Sequence, residues 1–388
     1  MDSVLLIGGC NFLGQWILIR LIEEDWAKEI RVIDRALPVA SHFHHRFQRA
    51  LKDPRVSYEQ CNLLLSESVE RGFDRGPEKG PWDAVINCAC DRRPMTTSPL
   101  RDLILTLTRL CALQAKCQGV GTFLQVSSGE VYSSHQELNT EESHVGDYGT
   151  EMESASYYHQ AEELLEDLSG DEFHVIIIRP AQIYGAGDIG SLSHFMALVR
   201  GSKECGESIR FMNAPDSYYR VIHVYDLALA CIKAAHWSLR HTHHPRAFEI
   251  FNLTDQSITT HADILDEIGK LFRVVVKYKQ RLLIMIKTMT VRDKAKAAQI
   301  EYANALSGWR RVLKDAHIHD TPLDPYAHAA ILGEDGMAMD GSKAKVTLDL
   351  TYHYPSFSRE ALEETLGTWQ EYGWWPLPDT VLAEEYDT

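Results

Sequence analysis

A glycine-rich turn follows the first apolar run of the chain and could bind phosphate. The text GGCNFLG, Gly8 to Gly14, lies between the apolar SVLLIG and the amphipathic QWILIRLIEEDWA. Glycines let backbone N–H groups approach a phosphate, and the start of the following helix adds partial positive charge worth about 0.3–1 kcal/mol. The pattern therefore predicts that a dinucleotide pyrophosphate is bound by Gly8, Asn11, Phe12, Leu13 and Gly14.

Asn11 stands where such turns usually have a middle glycine. Asn tolerates positive φ better than any other non-glycine residue, so the turn can survive this replacement. We also expect its side chain to crowd the pyrophosphate. Nucleotide binding is therefore expected to be weakened or reshaped.

An acid lies at the end of the second β-branched run. Asp34 follows Gly14 by 20 residues, where a carboxylate can accept hydrogen bonds from the adenosine ribose and repel a 2′-phosphate. This favours NAD over NADP as cofactor. Arg35 could pair with a 2′-phosphate, so NADP stays an alternative.

Short β-branched runs alternate with longer amphipathic stretches over the first half of the chain. The runs include IRVIDR, WDAVINCAC, TFLQVSS and FHVIIIRP, with helical text such as SASYYHQAEELLEDLSG between them. This pattern predicts an α/β fold, a Rossmann doubly wound parallel sheet, over residues 1–190. The alternation loosens afterwards, with FEIFNL as an isolated strand. Residues 191–388 are predicted to form a smaller, mainly helical substrate lobe, interleaved with the Rossmann domain.

Composition excludes several classes of protein. The 388 residues are 45% hydrophobic and carry a net charge of -16, which indicates a globular chain and opposes binding to nucleic acid. No run reaches the roughly 18 apolar residues of a membrane span, and no cleavable apolar leader is evident. A cytoplasmic protein without a membrane span is therefore expected.

Three clusters that could suggest other chemistry are interpreted as structural. The eight cysteines lack zinc-site spacing and are predicted to be reduced and buried. Eight Lys and Arg residues between 273 and 296 are interpreted as the solvated face of a lobe helix, rather than as a membrane-surface helix. The histidines at 241–244 are interpreted as a turn, so no metal site is predicted.

Further blocks make the chain resemble the extended short-chain dehydrogenase/reductase superfamily. The resemblance is to its NAD-dependent epimerase/dehydratase and 3β-hydroxysteroid dehydrogenase/isomerase branches. The blocks, over residues 3 to about 255, are CNLLL (61–65), VINCAC (85–90), VSSGEVY (126–132), RPAQIYGAGD (179–188) and YRVIHVYDLALA (219–230). The closing text from TPLDPY at 321 to EYGWWP resembles the tail of the same family.

The resemblance implies a role for each matching residue. Ser128 matches the catalytic Ser/Thr, and Arg220, His223 and Asp226 match a block that is mainly structural in the family. Asn62 and Leu63 match the adenine-contacting pair, with Asn in place of the usual Asp. The implied remaining cofactor contacts are Cys88, Ala89, Cys90, Pro180, Ala181 and Ile183.

The family's catalytic YxxxK motif is missing from SASYYHQAEELL. A Tyr with a pKa of about 10 needs a neighbouring cation to exchange protons near neutrality. In the preferred alignment Ser154 takes the Tyr position and Tyr158 the Lys position. In the other, Tyr158 is the catalytic Tyr and Glu162 replaces Lys, which would raise the phenol pKa. Ser128, Tyr157 and Tyr158 are the candidate catalytic residues; packing against the sheet is the alternative role for the tyrosines.

Three functions follow from this reading. The first is an atypical NAD(P)-dependent oxidoreductase or epimerase acting on a hydroxyl or keto group of a sterol-like, terpenoid or sugar-derived small molecule. The second is a redox-neutral isomerase, cyclase or lyase on the same scaffold. The third is a non-catalytic nucleotide-binding protein. Members of this family often pair through two helices of the Rossmann sheet, which favours a homodimer.

Overall fold

A computed structural model describes residues 1–38, 44–89, 101–132, 142, 153–212, 214–241, 247–279, 300–323, 325 and 338–377. The chain divides into two compact units. Unit 1 comprises Met1–Ile183, Tyr218–Ile258 and Gly336–Phe357, and unit 2 comprises Tyr184–Ser217, Thr259–Asp335 and Ser358–Thr388. The chain therefore passes between the units several times.

Unit 1 is built on a seven-stranded, wholly parallel sheet in the order β10-β6-β5-β4-β1-β2-β3. Its strands are β1 (Ser3–Ile7), β2 (Glu29–Asp34), β3 (Val56–Gln60), β4 (Ala84–Asn87), β5 (Thr122–Val126), β6 (His174–Pro180) and β10 (Phe248–Leu253). A short pair is formed by β7 (Gln182–Tyr184) and β9 (Val221–His223). This sheet confirms the predicted fold class.

The position of the candidate site follows from the strand order. β1 pairs with β2 on one side and β4 on the other, so the chain reverses its direction across the sheet at this point. In doubly wound folds, ligands bind beyond the carboxyl ends of the strands at such a switch point. β1, β4, β5 and β6 are buried along their whole length, as expected for a sheet covered on both faces.

Helices connect these strands, beginning with α1 (Phe12–Glu23), which follows β1 directly. A π-helical turn, Asp102–Thr106, leads directly into the helix that begins at Leu107. The other helices of unit 1 are α2 (His45–Ala50), α3 (Ser66–Phe73), α4 (Leu107–Cys117), α5 (Glu153–Leu168), α7 (Val224–Arg240) and α10 (Ser342–Thr347). Those of unit 2 are α6 (Ser191–Glu204), α8 (His261–Phe272), α9 (Ala303–Asp315) and α11 (Arg359–Glu371).

The strand FEIFNL is not isolated, and that prediction was wrong. It forms β10, which pairs along its length with β6 and closes one edge of the main sheet. Lys343 of α10 lies beside this edge and donates hydrogen bonds to Glu249 Oε1 and to the Ile250 carbonyl, at 2.6 and 2.7 Å. Residues far apart in the chain thus complete the Rossmann sheet.

Unit 2 has a small two-stranded sheet and a helical core. β8 (Ile209–Phe211) pairs in parallel with β11 (Val276–Tyr278). This strand lies inside the basic segment that was predicted to be helical, so the prediction was wrong there; residues 280–299 lie outside the described part. Helices α6 and α9 cross at Gly201 and Gly308, where a Cβ on Gly308 would lie 2.0 Å from the Gly201 carbonyl oxygen.

The cysteine prediction was wrong at two positions. Cys117 is exposed and Cys205 is half-buried, because both lie at the ends of helices rather than on their inner faces. The described residues contain no group of three or more side chains arranged to hold a metal ion. Nor does the described part include a helix long and apolar enough to cross a membrane. Cys90 and residues 242–246 lie outside the described part.

The block RVIHVYD ties the C-terminal segment of unit 1 to α7. The Asp226 carboxylate accepts hydrogen bonds from the backbone N–H groups of His353 and Tyr354, both at 2.8 Å. The Nδ1 atom of His223 accepts the N–H of Tyr225 at the start of α7, and its ring stacks on Tyr354 at 3.7 Å. These contacts support the structural role that the resemblance implies.

Buried histidines should make the fold acid-labile. Burial, aided by His353, lowers the pKa of His223 to about 3, and burial lowers that of His261 to about 4. Below pH 6.5 the unfolded chain binds protons that these folded rings do not, so stability falls as pH drops from 6.5 toward 4. Each histidine should contribute about 2 kcal/mol of loss by pH 5.

This pH effect can be isolated at His223. Asn can accept the same helix-capping hydrogen bond without titrating, so His223→Asn should lose about 2 kcal/mol less than the wild type between pH 7 and pH 5. Urea unfolding at both pH values measures the difference. Equal losses in the two proteins would show that His223 is not kept neutral in the fold.

Candidate active site

The glycine turn packs too closely to admit side chains. Gly8 has φ of +77°, and a Cβ there would lie 2.4 Å from the Ala89 Cα. A Cβ on Gly14 would lie 2.3 Å from the Gly8 carbonyl oxygen. The turn is thus pressed against the segment after β4 on one side and against the first turn of α1 on the other. Only glycine fits either position.

The turn forms with Asn11 in it, but Asn11 does not use its tolerance of positive φ. Its φ is -77° and it is the N-cap of α1, with its side-chain oxygen accepting the Gly14 N–H at 2.8 Å. Its amide nitrogen donates to the Cys88 carbonyl. Both ends of the side chain are therefore used to join the turn to the end of β4. An N-cap needs extended backbone, which Asn adopts without strain.

Two donors remain at the start of α1 for a phosphate. Within the described residues, the backbone N–H groups of Phe12 and Leu13 have no acceptor, whereas those of Asn11 and Gly14 do. Leu13 is buried and Phe12 half-buried. Unpaired N–H groups at a helix start, below a turn without side chains, suit an anion. The residues present fit the pyrophosphate of NAD.

Asp34 binds the backbone of the glycine turn through its carboxylate. One carboxylate oxygen accepts the Cys10 N–H and the other accepts the Ala36 N–H, both at 2.9 Å. Each carboxylate oxygen can accept a further hydrogen bond, so Asp34 can still bind a ribose hydroxyl. Burial, with a smaller contribution from Asp34, raises the pKa of the Cys10 thiol to about 12 and keeps it neutral beside the phosphate turn.

The other proposed cofactor contacts lie along the same edge of the sheet. The Cys88 thiol is buried and lies 3.1 Å from the Ile7 carbonyl, while the Ala89 N–H is bound by the Asn87 side chain. Asn62 is exposed and Leu63 buried just after β3. Pro180, Ala181 and Ile183 are buried where β6 ends and β7 begins.

Ser128 follows β5 and is almost fully buried. Its hydroxyl oxygen accepts the Glu130 N–H at 3.1 Å, which caps the short 3₁₀ turn Gly129–Val131. Within the described residues the hydroxyl hydrogen of Ser128 has no acceptor. The group can therefore donate a hydrogen bond to an added carbonyl or hydroxyl oxygen.

Glu162 and Arg179 form a buried ion pair that contacts the segment carrying Ser128. The Arg179 guanidinium donates from Nε to both oxygens of Glu162, at 3.1 and 3.2 Å, and both side chains are less than 5% exposed. Burial by itself would lower the pKa of Arg179, but the hydrogen bonds and charge of Glu162, together with Tyr132, outweigh it, so the pKa is raised. Ser127 donates to Glu162, and Arg179 Nη1 donates to the Tyr132 hydroxyl at 2.8 Å. Ser127 and Tyr132 flank Ser128 in sequence.

Asn252 completes this network and joins it to β10. The Tyr132 hydroxyl donates to the Asn252 side-chain oxygen at 2.7 Å, and both residues are buried. Burial raises the pKa of Tyr132 even beside Arg179. Sequence reasoning missed this network as a whole. Its available signal was a Glu in the middle of a sheet-packed helix and an Arg at the end of a buried strand, two charges that must pair when buried.

The tyrosine candidates lie one helical turn from that ion pair. Tyr158 is buried and Tyr157 half-buried on α5, which packs against the Gly129–Val131 turn. Glu162, which takes the Lys position if Tyr158 is the catalytic Tyr, is engaged by Arg179 and Ser127. The side chain of Ser154 lies outside the described part.

Sequence comparison places the chain among known proteins. The sequence model of the NAD dependent epimerase/dehydratase family matches residues 4–253, well over half of the chain. That match includes the glycine turn, Asp34, Ser128 and β10. Among curated proteins, no sequence matches this chain.

Solved structures with the same fold span nearly the whole chain. The UDP-Glc/GlcNAc 4-epimerase of Campylobacter jejuni has a TM-score of 0.65 at 16% identity and covers 96% of this chain and 100% of its own. A dTDP-glucose 4,6-dehydratase of Bacillus anthracis, in complex with NAD, has the same score and identity over 97% and 99%. WbmG of Bordetella bronchiseptica, also with NAD, scores 0.63 at 14% identity over 96% and 94%.

Proposed function

Because this chain belongs to the NAD-dependent epimerase/dehydratase family, we propose that it binds NAD at the glycine turn and acts as an oxidoreductase or epimerase on a hydroxyl or keto group of a small molecule. The observation that carries the proposal is the turn itself. The N–H groups of Phe12 and Leu13 are open at the start of α1, and the Asp34 carboxylate binds the Cys10 N–H of the same turn. Ser128 follows β5 of the same parallel sheet.

Bound NAD would accept and donate the hydride. Side chains of this chain would donate or accept the proton. We expect the Ser128 hydroxyl to hydrogen-bond the reacting oxygen of a substrate, and Tyr157 and Tyr158 are the candidates to hold its proton. With no Lys in the motif, the family's usual Tyr/Lys proton relay is missing, so we expect slow turnover.

Sugar-derived substrates are the first class to test. The named structural relatives include enzymes acting on UDP- and dTDP-linked sugars, and a Thermotoga maritima UDP-glucose 4-epimerase was solved with UDP-glucose. Sterol-like and terpenoid alcohols are the second class. A redox-neutral isomerase or lyase is kept as the alternative because the YxxxK dyad is absent from SASYYHQAEELL.

The experiment is a turnover assay with and without NAD. Purified protein is incubated with UDP-glucose, UDP-N-acetylglucosamine and cyclic alcohols; absorbance at 340 nm and product NMR are recorded. We expect product only with NAD, and a loss of about 10²-fold or more in Ser128→Ala but not in the exposed-site control Glu163→Ala. Product formed equally well without nicotinamide would contradict the redox proposal and favour the alternative.

A homodimer is the assembly we propose. The family pairs through helices of the Rossmann sheet, and α4 keeps Leu113 41% exposed at its surface. A Leu113→Glu substitution should convert the dimer into a monomer in light scattering. A monomeric wild-type protein would contradict this proposal.

A further inference from the structure

The segment 127–132, which carries Ser128, is anchored at both ends by buried side chains. At its start, the Ser127 hydroxyl donates a hydrogen bond to the Glu162 carboxylate. At its end, the Tyr132 hydroxyl accepts a hydrogen bond from Arg179 Nη1 at 2.8 Å. All four anchoring residues are 5% exposed or less. One ion pair therefore holds both ends of the segment.

Backbone hydrogen bonds restrict the segment between these anchors. The Ser127 N–H donates to the Ile178 carbonyl at 2.7 Å, which joins the end of β5 to β6. The Tyr132 N–H donates to the Gly129 carbonyl at 3.2 Å and closes the 3₁₀ turn. Ser128 has extended backbone, with φ of -145° and ψ of 145°, and its side-chain oxygen caps that turn. The direction of its hydroxyl therefore depends on where the two anchors hold the segment.

The chemistry of the ion pair is matched to this task. Glu162 lies on α5, which packs against the 3₁₀ turn, and Arg179 lies on β6. A buried ion pair is often no more stabilising than apolar side chains of similar volume. Apolar side chains could not replace its other contacts, because a hydroxyl donor needs an acceptor and the Tyr132 oxygen is bound by an N–H donor.

We propose that Glu162 and Arg179 are positioning residues for the reaction. Through the two ends of the segment 127–132 they hold Ser128, so that its hydroxyl meets the reacting oxygen of the substrate. The inference rests on the proposed function and extends it to two buried residues. A displacement of about 1 Å in a catalytic group can cost about 100-fold in rate, so loss of the anchors should lower kcat far more than it changes KM.

The test is the double variant Glu162→Leu with Arg179→Met, which removes both anchors without leaving an unpaired buried charge. In the NAD-dependent turnover assay we expect kcat per folded molecule to fall by about 10- to 100-fold, with KM within about twofold. Hydrogen exchange of the full chain, which needs no substrate, should be at least about tenfold faster in the segment 127–132 and unchanged in β1. The control Arg359→Met with Glu363→Leu removes an exposed ion pair and should change neither readout.

Single variants test the inference should the double variant not fold. Ser127→Ala and Tyr132→Phe each remove one anchoring hydroxyl and leave the ion pair in place. Each should lower kcat by about tenfold. Ser127→Thr keeps the hydroxyl and should retain most of the wild-type kcat.

The outcomes separate this inference from the proposed function. Ser128→Ala is measured in the same assay. If Ser128→Ala is impaired while the anchor variants turn over like the wild type, the inference is overturned and the function stands. Faster exchange throughout unit 1 in the double variant would assign the ion pair to the fold alone and would also overturn the inference. An unimpaired Ser128→Ala would overturn the role of Ser128 in the proposed function and the inference with it.

Discussion

Replacing Glu162 by Ala should destabilise the fold by about 3–5 kcal/mol, because it leaves the Arg179 cation buried without its partner. Arg179 is only 2% exposed, so its charge is buried. Ser127 would lose its acceptor in the same variant. Urea unfolding followed by circular dichroism measures the change in free energy of unfolding.

A double variant separates the ion pair from simple packing. Removing both charges, with Glu162→Leu and Arg179→Met together, leaves no unpaired buried ion and should recover most of the loss, to within about 1–2 kcal/mol of the wild type. Additive losses in the double variant would contradict the pairing. The exposed i, i+4 pair of Arg359 and Glu363 is the matched control, and Glu363→Ala should cost less than about 0.5 kcal/mol.

Replacing Gly8 by Ala should abolish measurable NAD binding, which corresponds to a loss of about 100-fold or more. The new Cβ would collide with the Cα and N of Ala89, at 2.4 and 2.7 Å, and push the turn away from the end of β4. Gly119→Ala is the matched control, because Gly119 also has positive φ but has nothing within 4 Å of an added Cβ. That control should cost about 1 kcal/mol of stability and leave NAD affinity unchanged.

A second variant tests the same site without a steric clash. Asn11→Asp keeps the acceptor for the Gly14 N–H but replaces the donor to the Cys88 carbonyl with a charged oxygen. The added negative charge near the pyrophosphate should weaken NAD binding by about tenfold or more. Gly8→Ala and Asn11→Asp proteins that both bind NAD like the wild type would place the nucleotide elsewhere.

The Rossmann half was predictable because its signals are local. The turn from Gly8 to Gly14, the helix after it and Asp34 at the end of β2 lie in one stretch, and the β-branched runs become strands of one parallel sheet. The place of β10 was not predictable in this way. Its pairing with β6 joins residues about 70 positions apart, and a short apolar run contains no information on which strand it will join.

Sequence reasoning missed those parts of the site that depend on which side chains meet in space. Asn11 was judged by its tolerance of positive φ, whereas its side chain caps α1 and binds Cys88. Glu162 was considered only as a replacement for Lys, because charged residues on a helix are usually solvated. Its pairing with Arg179 depends on β6 lying beside α5, a tertiary contact.

Titration of the purified protein with NAD⁺ and NADH by calorimetry tests the central claim most directly. We predict one site per chain with a dissociation constant in the micromolar range or below, lost in Gly8→Ala and retained in Gly119→Ala. No detectable heat or fluorescence change with either nucleotide would contradict the claim, and would mean that the glycine turn is kept for the fold alone.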